Sequence, residues 1–288
     1  MKPRKKDMKS ELVKLGSRMV RNLVRGDESA LGLPQGLDAE ALALPLKPAN
    51  AAQGAALGPG VVLRPRDPVP AQRTLVVMGS YRGGTSMVAG ILRLLGVFMG
   101  YNLGRTNNED LDFQEERDFS PLGPHIRRRN EALDVWGWKF PGSLGYIETV
   151  LPLLRNPYFL IICRDPVAIA QREHVLGNYT FGEALRLATL HQFKLITFTY
   201  RTPHPVFLIS YERSLRGKGG FVKDLAAFAH LPVSDERAET ISSFIVSGGS
   251  GTVSAFARER GLQDLIDFEK RHGVREISGG RAGLAKER

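Results

Sequence analysis

The sequence has a single cysteine, Cys163, among its 288 residues, so no disulfide can form within the chain. Cys163 ends the apolar run Tyr158–Cys163, where an unpaired cysteine is usually a small core residue. No cysteine and histidine cluster has the spacing of a zinc site. No apolar run approaches the roughly 18 residues that cross a bilayer, and the N-terminus lacks the apolar core of a secretory signal. We therefore expect a cytoplasmic protein.

Positive charge is in excess: Lys and Arg total 40 against 30 Asp and Glu, a formal net charge of +10. A basic balance favours anionic partners such as nucleotides, acidic glycans or anionic lipids, without choosing among them. We expect no nucleic-acid partner, because no interleaved basic and aromatic motif of a known reader is present.

Residues 1–70 differ in composition from the rest of the chain. Apolar side chains at helical spacing among basic ones predict an amphipathic helix in residues 10–25. Such a helix could contact the inner face of an anionic membrane, or instead dock on its own domain or remain a solvated tail. Residues 29–70, rich in Ala, Gly and Pro, predict a flexible arm. We expect an ordered domain over 71–277 and a disordered tail over 278–288.

Three short apolar runs alternate with helical patterns in the predicted domain. They are Thr74–Gly79, Tyr158–Cys163 and Val206–Tyr211, and each predicts a buried strand. Strands that alternate with helices indicate an α/β fold with a mainly parallel sheet flanked by helices.

The loop Gly79–Ser86, with the sequence GSYRGGTS, follows the first of these strands. Its glycines allow backbone N–H groups to approach a phosphate, and the helix beginning near Thr85 presents its positive end there. The spacing matches the loop of nucleotide triphosphatases, except that Thr85 stands where the lysine belongs. The missing lysine argues against a site for the β- and γ-phosphates of ATP. Arg82 supplies the positive charge instead.

This loop resembles that of the sulfotransferases that use 3′-phosphoadenosine-5′-phosphosulfate (PAPS), in the bacterial branch whose loop is P-R-S-G-T-S. Three further stretches resemble the family's motifs: WGWKFP, FQEERDF and LISYERSL. A fourth, Arg164-Asp165-Pro166, resembles the family's R-[DN]-P-x5-S element, with Arg172 in place of the serine. The resemblance covers about residues 74–235. The residues that correspond to the family's loop are Tyr81, Arg82, Gly83, Gly84, Thr85 and Ser86.

The resemblance implies a P-loop-like nucleotide-binding architecture and a sulfotransferase that uses PAPS and no metal, leaving 3′,5′-adenosine bisphosphate (PAP). The loop residues would bind the 5′-phosphosulfate, and Arg164 and Arg172 the 3′-phosphate. The acceptor would be a glycan, a glycolipid or another small hydroxylated molecule.

The resemblance also nominates catalytic residues. Glu115, in the segment that resembles the family's G-x-x-E, is the expected general base, with Glu116 and His125 as alternatives. Lys139, with Arg82, would offset the charge that develops on the bridging oxygen. A lysine beside an aromatic pair can equally be a surface residue.

Two other functions fit the loop. One is a P-loop kinase that has lost its lysine, and the other is a non-catalytic module that binds a nucleotide or a glycan. Stabilisation by PAP rather than by ATP with magnesium would distinguish the sulfotransferase from the kinase.

Overall fold

A computed structural model of the chain describes residues 58–114, 122–246 and 252–277. Several features predicted from the sequence lie outside these residues: the amphipathic segment 10–25, the base candidates Glu115 and Glu116, and the tail 278–288.

The described residues form seven strands and ten α-helices. The strands are β1 (Gly60–Leu63), β2 (Arg73–Gly79), β3 (Asn102–Gly104), β4 (Val135–Lys139), β5 (Pro157–Cys163), β6 (Val206–Ser210) and β7 (Arg275–Ile277). The helices are α1 (Thr85–Leu94), α2 (Leu122–Ala132), α3 (Ile147–Val150), α4 (Pro166–Val175), α5 (Phe181–Arg201), α6 (Tyr211–Arg216), α7 (Lys218–Phe228), α8 (Asp235–Ser242), α9 (Val253–Glu259) and α10 (Gln263–Arg271).

In the part of the chain that the structure describes, the main sheet has the strand order β1-β6-β5-β2-β4. Strands β2, β4, β5 and β6 are parallel, and β1 pairs antiparallel with β6 at one edge. Strands β3 and β7 form a separate parallel pair. The predicted α/β fold with a mainly parallel sheet is confirmed. Strand β1 lies within the segment 1–70, for which the sequence predicted a flexible arm. A four-residue edge strand leaves no clear periodic pattern, so the sequence did not predict it.

Both faces of the sheet are covered. In β2, Leu75 and Val77 point into one apolar core, and Val76 and Met78 into the other. Helices α1 and α7–α10 complete the first core, and α2, α3 and α5 contribute to the second. Burial on both faces explains why the central strands are continuous apolar runs rather than alternating ones. No helix in the described ranges is both long and apolar enough to cross a membrane.

Local capping fixes the two helices that follow β5. Helix α4 begins with Pro166, and the Asp165 carboxylate accepts a hydrogen bond from the Val167 N–H at 2.9 Å. Helix α5 begins with a capping box formed by Thr180 and Glu183. Such caps satisfy N–H groups that a helix leaves unpaired in its first turn. The caps therefore define the residues at which α4 and α5 begin. The two helices pack against each other.

Candidate active site

Four parallel strands end at one edge of the sheet, and each delivers a polar segment there. β2 ends at Gly79 before the glycine-rich loop, β4 ends at Lys139, β5 is followed directly by Arg164, and β6 by Tyr211. In parallel α/β sheets, ligands bind beyond the carboxyl ends of the strands. The fold thus brings the predicted loop, lysine and second arginine to one edge.

The loop between β2 and α1 has an uncommon backbone. Arg82 and Gly84 have positive φ angles of 60° and 97°, and the Gly83 N–H donates to the Ser80 carbonyl at 2.9 Å. Helix α1 begins at Thr85 without a side-chain cap and without an acidic residue in its first turn. The start of α1 therefore presents its N–H groups and its positive dipole end toward an anion.

Tyr211 joins this loop to the end of the next strand. A Cβ atom placed on Gly84 would overlap the Tyr211 ring, so only glycine at this position lets the loop backbone lie this close to the ring. The guanidinium of Arg164 lies 4.5 Å above the centroid of the same ring, and its Nη1 donates to the Arg82 carbonyl at 2.7 Å. The two basic positions that the sequence placed at separate strand ends therefore adjoin one another.

Arg164 is held by the fold rather than by an acid. Its carbonyl accepts a hydrogen bond from Gln192 Nε2 at 2.8 Å, whereas the neighbouring Asp165 caps α4. Among the described residues no acid forms an ion pair with Arg164, and its buried Nε has no hydrogen-bond partner there. The buried hydroxyl of Ser80 in the loop also lacks one. Leaving buried polar groups unpaired costs free energy, so either atom would gain from a hydrogen bond to a ligand.

The Arg82 side chain is already paired with an acidic residue. Its side chain is 44% exposed, and its Nε lies 3.0 Å from a carboxylate oxygen of Glu173 on α4. The other Glu173 oxygen accepts a hydrogen bond from Asn178 Nδ2 at 2.6 Å. An exposed ion pair of this kind is weak and easily exchanged, so a bound anion could compete for Arg82.

Lys139 is buried, although the sequence also allowed a position on the surface. It is only 1% exposed, and its Nζ lies 2.8 Å from Glu109 Oε1 and 3.5 Å from Ser86 Oγ. Burial lowers the pKa of Lys139, while the Glu109 carboxylate acts in the opposite direction. The lysine therefore places a buried cation beside the start of α1.

Glu109 is a candidate that the sequence analysis missed. Besides Lys139, its carboxylate accepts a hydrogen bond from Gln114 Nε2 at 2.7 Å. Its backbone is fixed as well, since its N–H donates to Asn107 Oδ1 at 3.0 Å and its carbonyl accepts from the Gly104 N–H at 2.8 Å. The one signal in the sequence was an acid in the charged stretch after residue 107, six positions before the expected Glu115.

The residue after Glu109 anchors this segment in the protein interior. Asp110 is fully buried and forms an ion pair with Arg129 of α2, which also binds Asp112. Burial raises the pKa of Asp110 to about 6, and the Arg129 guanidinium opposes that shift. Removing one partner of a buried pair is strongly destabilising, so this pair fixes the position of the neighbouring Glu109.

Two adjoining cavities open at this edge of the sheet. The smaller, here called the anion cavity, has a volume of about 160 Å³ and is lined by the loop, Lys139, Arg164, Arg172 and Tyr211. The larger, here called the side cavity, has a volume of about 740 Å³ and extends between the loop, α4 and α5. Three residues line both cavities: Tyr81, Arg82 and Glu109.

The remaining sequence-predicted residues fall into different places. Arg172, which stands where the related motif has serine, lines the anion cavity. His125 lies on α2, 3.9 Å from Asp112, and is absent from the described lining of both cavities. Burial raises the pKa of Cys163 to about 11, which disfavours a reactive thiolate. Within the described ranges, no group of three or more His, Cys, Asp or Glu side chains is placed to hold a metal ion.

Comparison with known proteins gives structural matches only. No family model matches the chain, and no curated protein matches it. The matching structures include the sulfotransferase domain of the Synechococcus PCC 7002 olefin synthase, 11% identical, covering 75% of this chain and 99% of that one, with a TM-score of 0.46. A sulfotransferase from Mycobacterium avium is 14% identical over 73% of this chain and 79% of that one, with a TM-score of 0.43.

A mouse sulfotransferase complexed with PAP also matches, at 12% identity over 74% of this chain and 87% of that one, with a TM-score of 0.42. Likenesses at these identities and scores carry no conclusion about activity.

Proposed function

We propose that the chain is a sulfotransferase that moves a sulfuryl group from PAPS to a hydroxyl acceptor. One observation carries the proposal: Arg164, at the end of β5, is stacked on Tyr211 and hydrogen-bonded to the Arg82 carbonyl of the glycine-rich loop. A nucleotide with anionic groups at both the 3′ and the 5′ positions of its ribose needs two basic positions, which neighbouring strand ends can supply. The loop and Arg164 supply them within one cavity.

The residues present fit such a ligand. The loop amides and the start of α1 would hold the 5′-phosphosulfate, with the Ser80 hydroxyl as a further donor that has no partner among the described residues. Arg164, whose Nε is unpaired there, and Arg172 would hold the 3′-phosphate. Thr85 is buried and has no ammonium group, which disfavours the β- and γ-phosphates of ATP.

Glu109 is the general base in this proposal. A base must lie within about 3 Å of the acceptor hydroxyl, and Glu109 is the carboxylate that borders both cavities among the described residues. Glu115, the candidate from the sequence, lies outside those residues, and His125 lines neither cavity.

When bound, PAPS supplies the sulfuryl group and a leaving bisphosphate. Glu109 would take up the proton that the acceptor hydroxyl loses when the acceptor oxygen bonds to sulfur and the bond between sulfur and the 5′-phosphate oxygen breaks. Lys139, 2.8 Å from Glu109, orients the carboxylate, and its charge lies beside Ser86 at the start of α1. Donors fixed in a buried site before the reaction are worth more than the same donors in water.

The proposal is tested by thermal stabilisation. PAP should raise the melting temperature, since a ligand at 100 times its Kd adds about 2.7 kcal/mol of stability, whereas ATP with magnesium should have little effect. Stabilisation by ATP with magnesium and none by PAP would favour the kinase-like alternative. Stabilisation by PAP without transfer to any hydroxyl would favour a binding module.

A further inference from the structure

The side cavity has two unlike ends. Toward the anion cavity it is bordered by Tyr81, Arg82 and Glu109. The wall formed by α4 and α5, here called the far wall, carries four aliphatic side chains, Ile169, Ala184, Leu187 and Ala188, together with Glu173 and His191. A volume of about 740 Å³ is within the usual range for small-molecule sites. A molecule that places a hydroxyl beside Glu109 must therefore lay the rest of its body against an apolar surface.

The charged groups of the side cavity are already paired. Arg82 lies 3.0 Å from Glu173, and Glu109 lies 2.8 Å from Lys139. Burial, with Lys194 nearby, lowers the pKa of His191 to about 4, so this ring is neutral at pH 7. Among the described lining residues, Arg82 already has an acidic partner, so an acidic glycan would have to compete with Glu173 for it.

A neutral sugar fits the far wall poorly as well. Sugar hydroxyl groups that lie against the four aliphatic side chains would lose hydrogen bonds to water without gaining new ones, and each unpaired group costs free energy. An aromatic or aliphatic body has no such cost and gains from the burial of its own apolar surface.

The segment from the end of α4 to the start of α5 adds exposed apolar surface next to the side cavity. The connection from α4 to α5 carries four exposed apolar side chains: Val175, Leu176, Tyr179 and Phe181. Tyr179 also lines the side cavity. Clustered exposed apolar groups mark places where apolar ligands or partners bind.

We propose that the side cavity is the acceptor site and that the acceptor is an uncharged, largely apolar alcohol or phenol rather than a carbohydrate. This inference rests on the sulfotransferase function proposed above. The acceptor hydroxyl lies at the Glu109 end, and the apolar body lies against α4 and α5.

The experiment compares acceptors on the full chain supplied with PAPS. 2-Naphthol and 1-decanol represent the apolar class, maltotriose the neutral carbohydrates and chondroitin the acidic ones, with sulfated products measured by mass spectrometry. Leu187→Asp places a charge in the far wall, at a residue that is only half buried. Thr189→Asp places the same charge on an exposed position of α5 and is the matched control. PAP binding reports folding of both variants.

The expected result is transfer to 2-naphthol or 1-decanol, with kcat/KM at least about tenfold above that for either carbohydrate. Leu187→Asp should raise the KM for 2-naphthol by about tenfold or more, while Thr189→Asp leaves it unchanged. If Leu187→Asp does not fold, Leu187→Asn takes its place.

Preferential sulfation of maltotriose or chondroitin would overturn the inference while leaving the sulfotransferase proposal intact. An unchanged KM in a Leu187→Asp protein that binds PAP would do the same. A wild-type chain that binds PAP and sulfates none of the four compounds would overturn the inference and would also favour the binding module over the sulfotransferase. Failure of the wild-type chain to bind PAP would instead overturn the proposed function itself.

Discussion

The ammonium nitrogen of Lys139 lies 2.8 Å from a carboxylate oxygen of Glu109, and both side chains border the anion cavity. Lys139 ends β4, whereas Glu109 lies on the irregular segment after β3, so the sheet edge brings together residues 30 positions apart. The pair places a proton acceptor and a cation where the two cavities meet.

Glu109→Gln should lower kcat by about 10²- to 10⁴-fold, the usual contribution of a general base. PAP affinity should stay nearly unchanged, because the amide keeps the size of the carboxylate. The measurement is transfer from PAPS to the best acceptor of the panel above. Glu131→Gln, at an exposed position of α2, is the control. A Glu109→Gln enzyme with wild-type kcat would remove Glu109 from the role of base.

Arg164→Ala should raise the Kd for PAP by about 10- to 100-fold, the loss expected for a charged hydrogen-bond partner. Arg164→Lys keeps the charge but loses the planar guanidinium, so its Kd for PAP should lie between the values of the wild type and Arg164→Ala. Arg213→Ala, at an exposed position of α6 outside both cavity linings, should bind PAP like the wild type. Equal Kd values for all four proteins in calorimetry would contradict the assigned role.

Gly84→Ala should weaken both the fold and PAP binding. The new Cβ meets the Tyr211 ring, and Gly84 has a φ of 97°. Gly261→Ala separates the two causes, because Gly261 has a φ of 65° and nothing within 4 Å of an added Cβ. The control should lose about 1–2 kcal/mol from backbone strain alone. Denaturant unfolding that shows equal losses would rule out a close contact of the loop with Tyr211.

Acid should destabilise the fold through His191. The pKa of His191 falls from its ordinary 6.5 to about 4 because burial disfavours the imidazolium, with Lys194 adding to the effect. The unfolded chain therefore binds a proton at this position near pH 6.5, which the folded chain takes up only near pH 4. Stability present above pH 6.5 should be lost as the pH falls toward 4. In His191→Gln the melting temperature should fall less steeply over this interval, and identical slopes would contradict the shifted pKa.

Local patterns were sufficient to predict three strands of the main sheet, β2, β5 and β6, and the loop after β2. The central strands are buried on both faces, so Thr74–Gly79 and Tyr158–Cys163 are continuous apolar runs that predict strands from the sequence alone. The glycines and Arg82 of the loop are adjacent in the chain, and their conformation is set by local chemistry. The amphipathic segment 10–25, its membrane contact and the cytoplasmic location stay predictions.

The partners of the site depend on the tertiary fold. Glu109 meets Lys139 because the segment after β3 lies against the end of β4, where the Asp110 N–H donates to the Lys139 carbonyl at 3.2 Å. Tyr211 meets Gly84 across β5. The side cavity arises from the packing of α4 against α5, which no local motif records. The sequence instead favoured Glu115 as the general base, because Glu115 lies in the segment that resembles a family motif. Glu115 lies outside the described residues.

The central claim is a site with one anionic position at the loop and a second at Arg164. Calorimetric titration of the wild-type chain with PAP and with 5′-AMP tests it directly, because the two nucleotides differ only in the 3′-phosphate. We predict that PAP binds at least about tenfold more tightly, a difference of about 1.4 kcal/mol. Equal affinities for PAP and 5′-AMP, or tighter binding of 5′-AMP, would contradict the two-anion site.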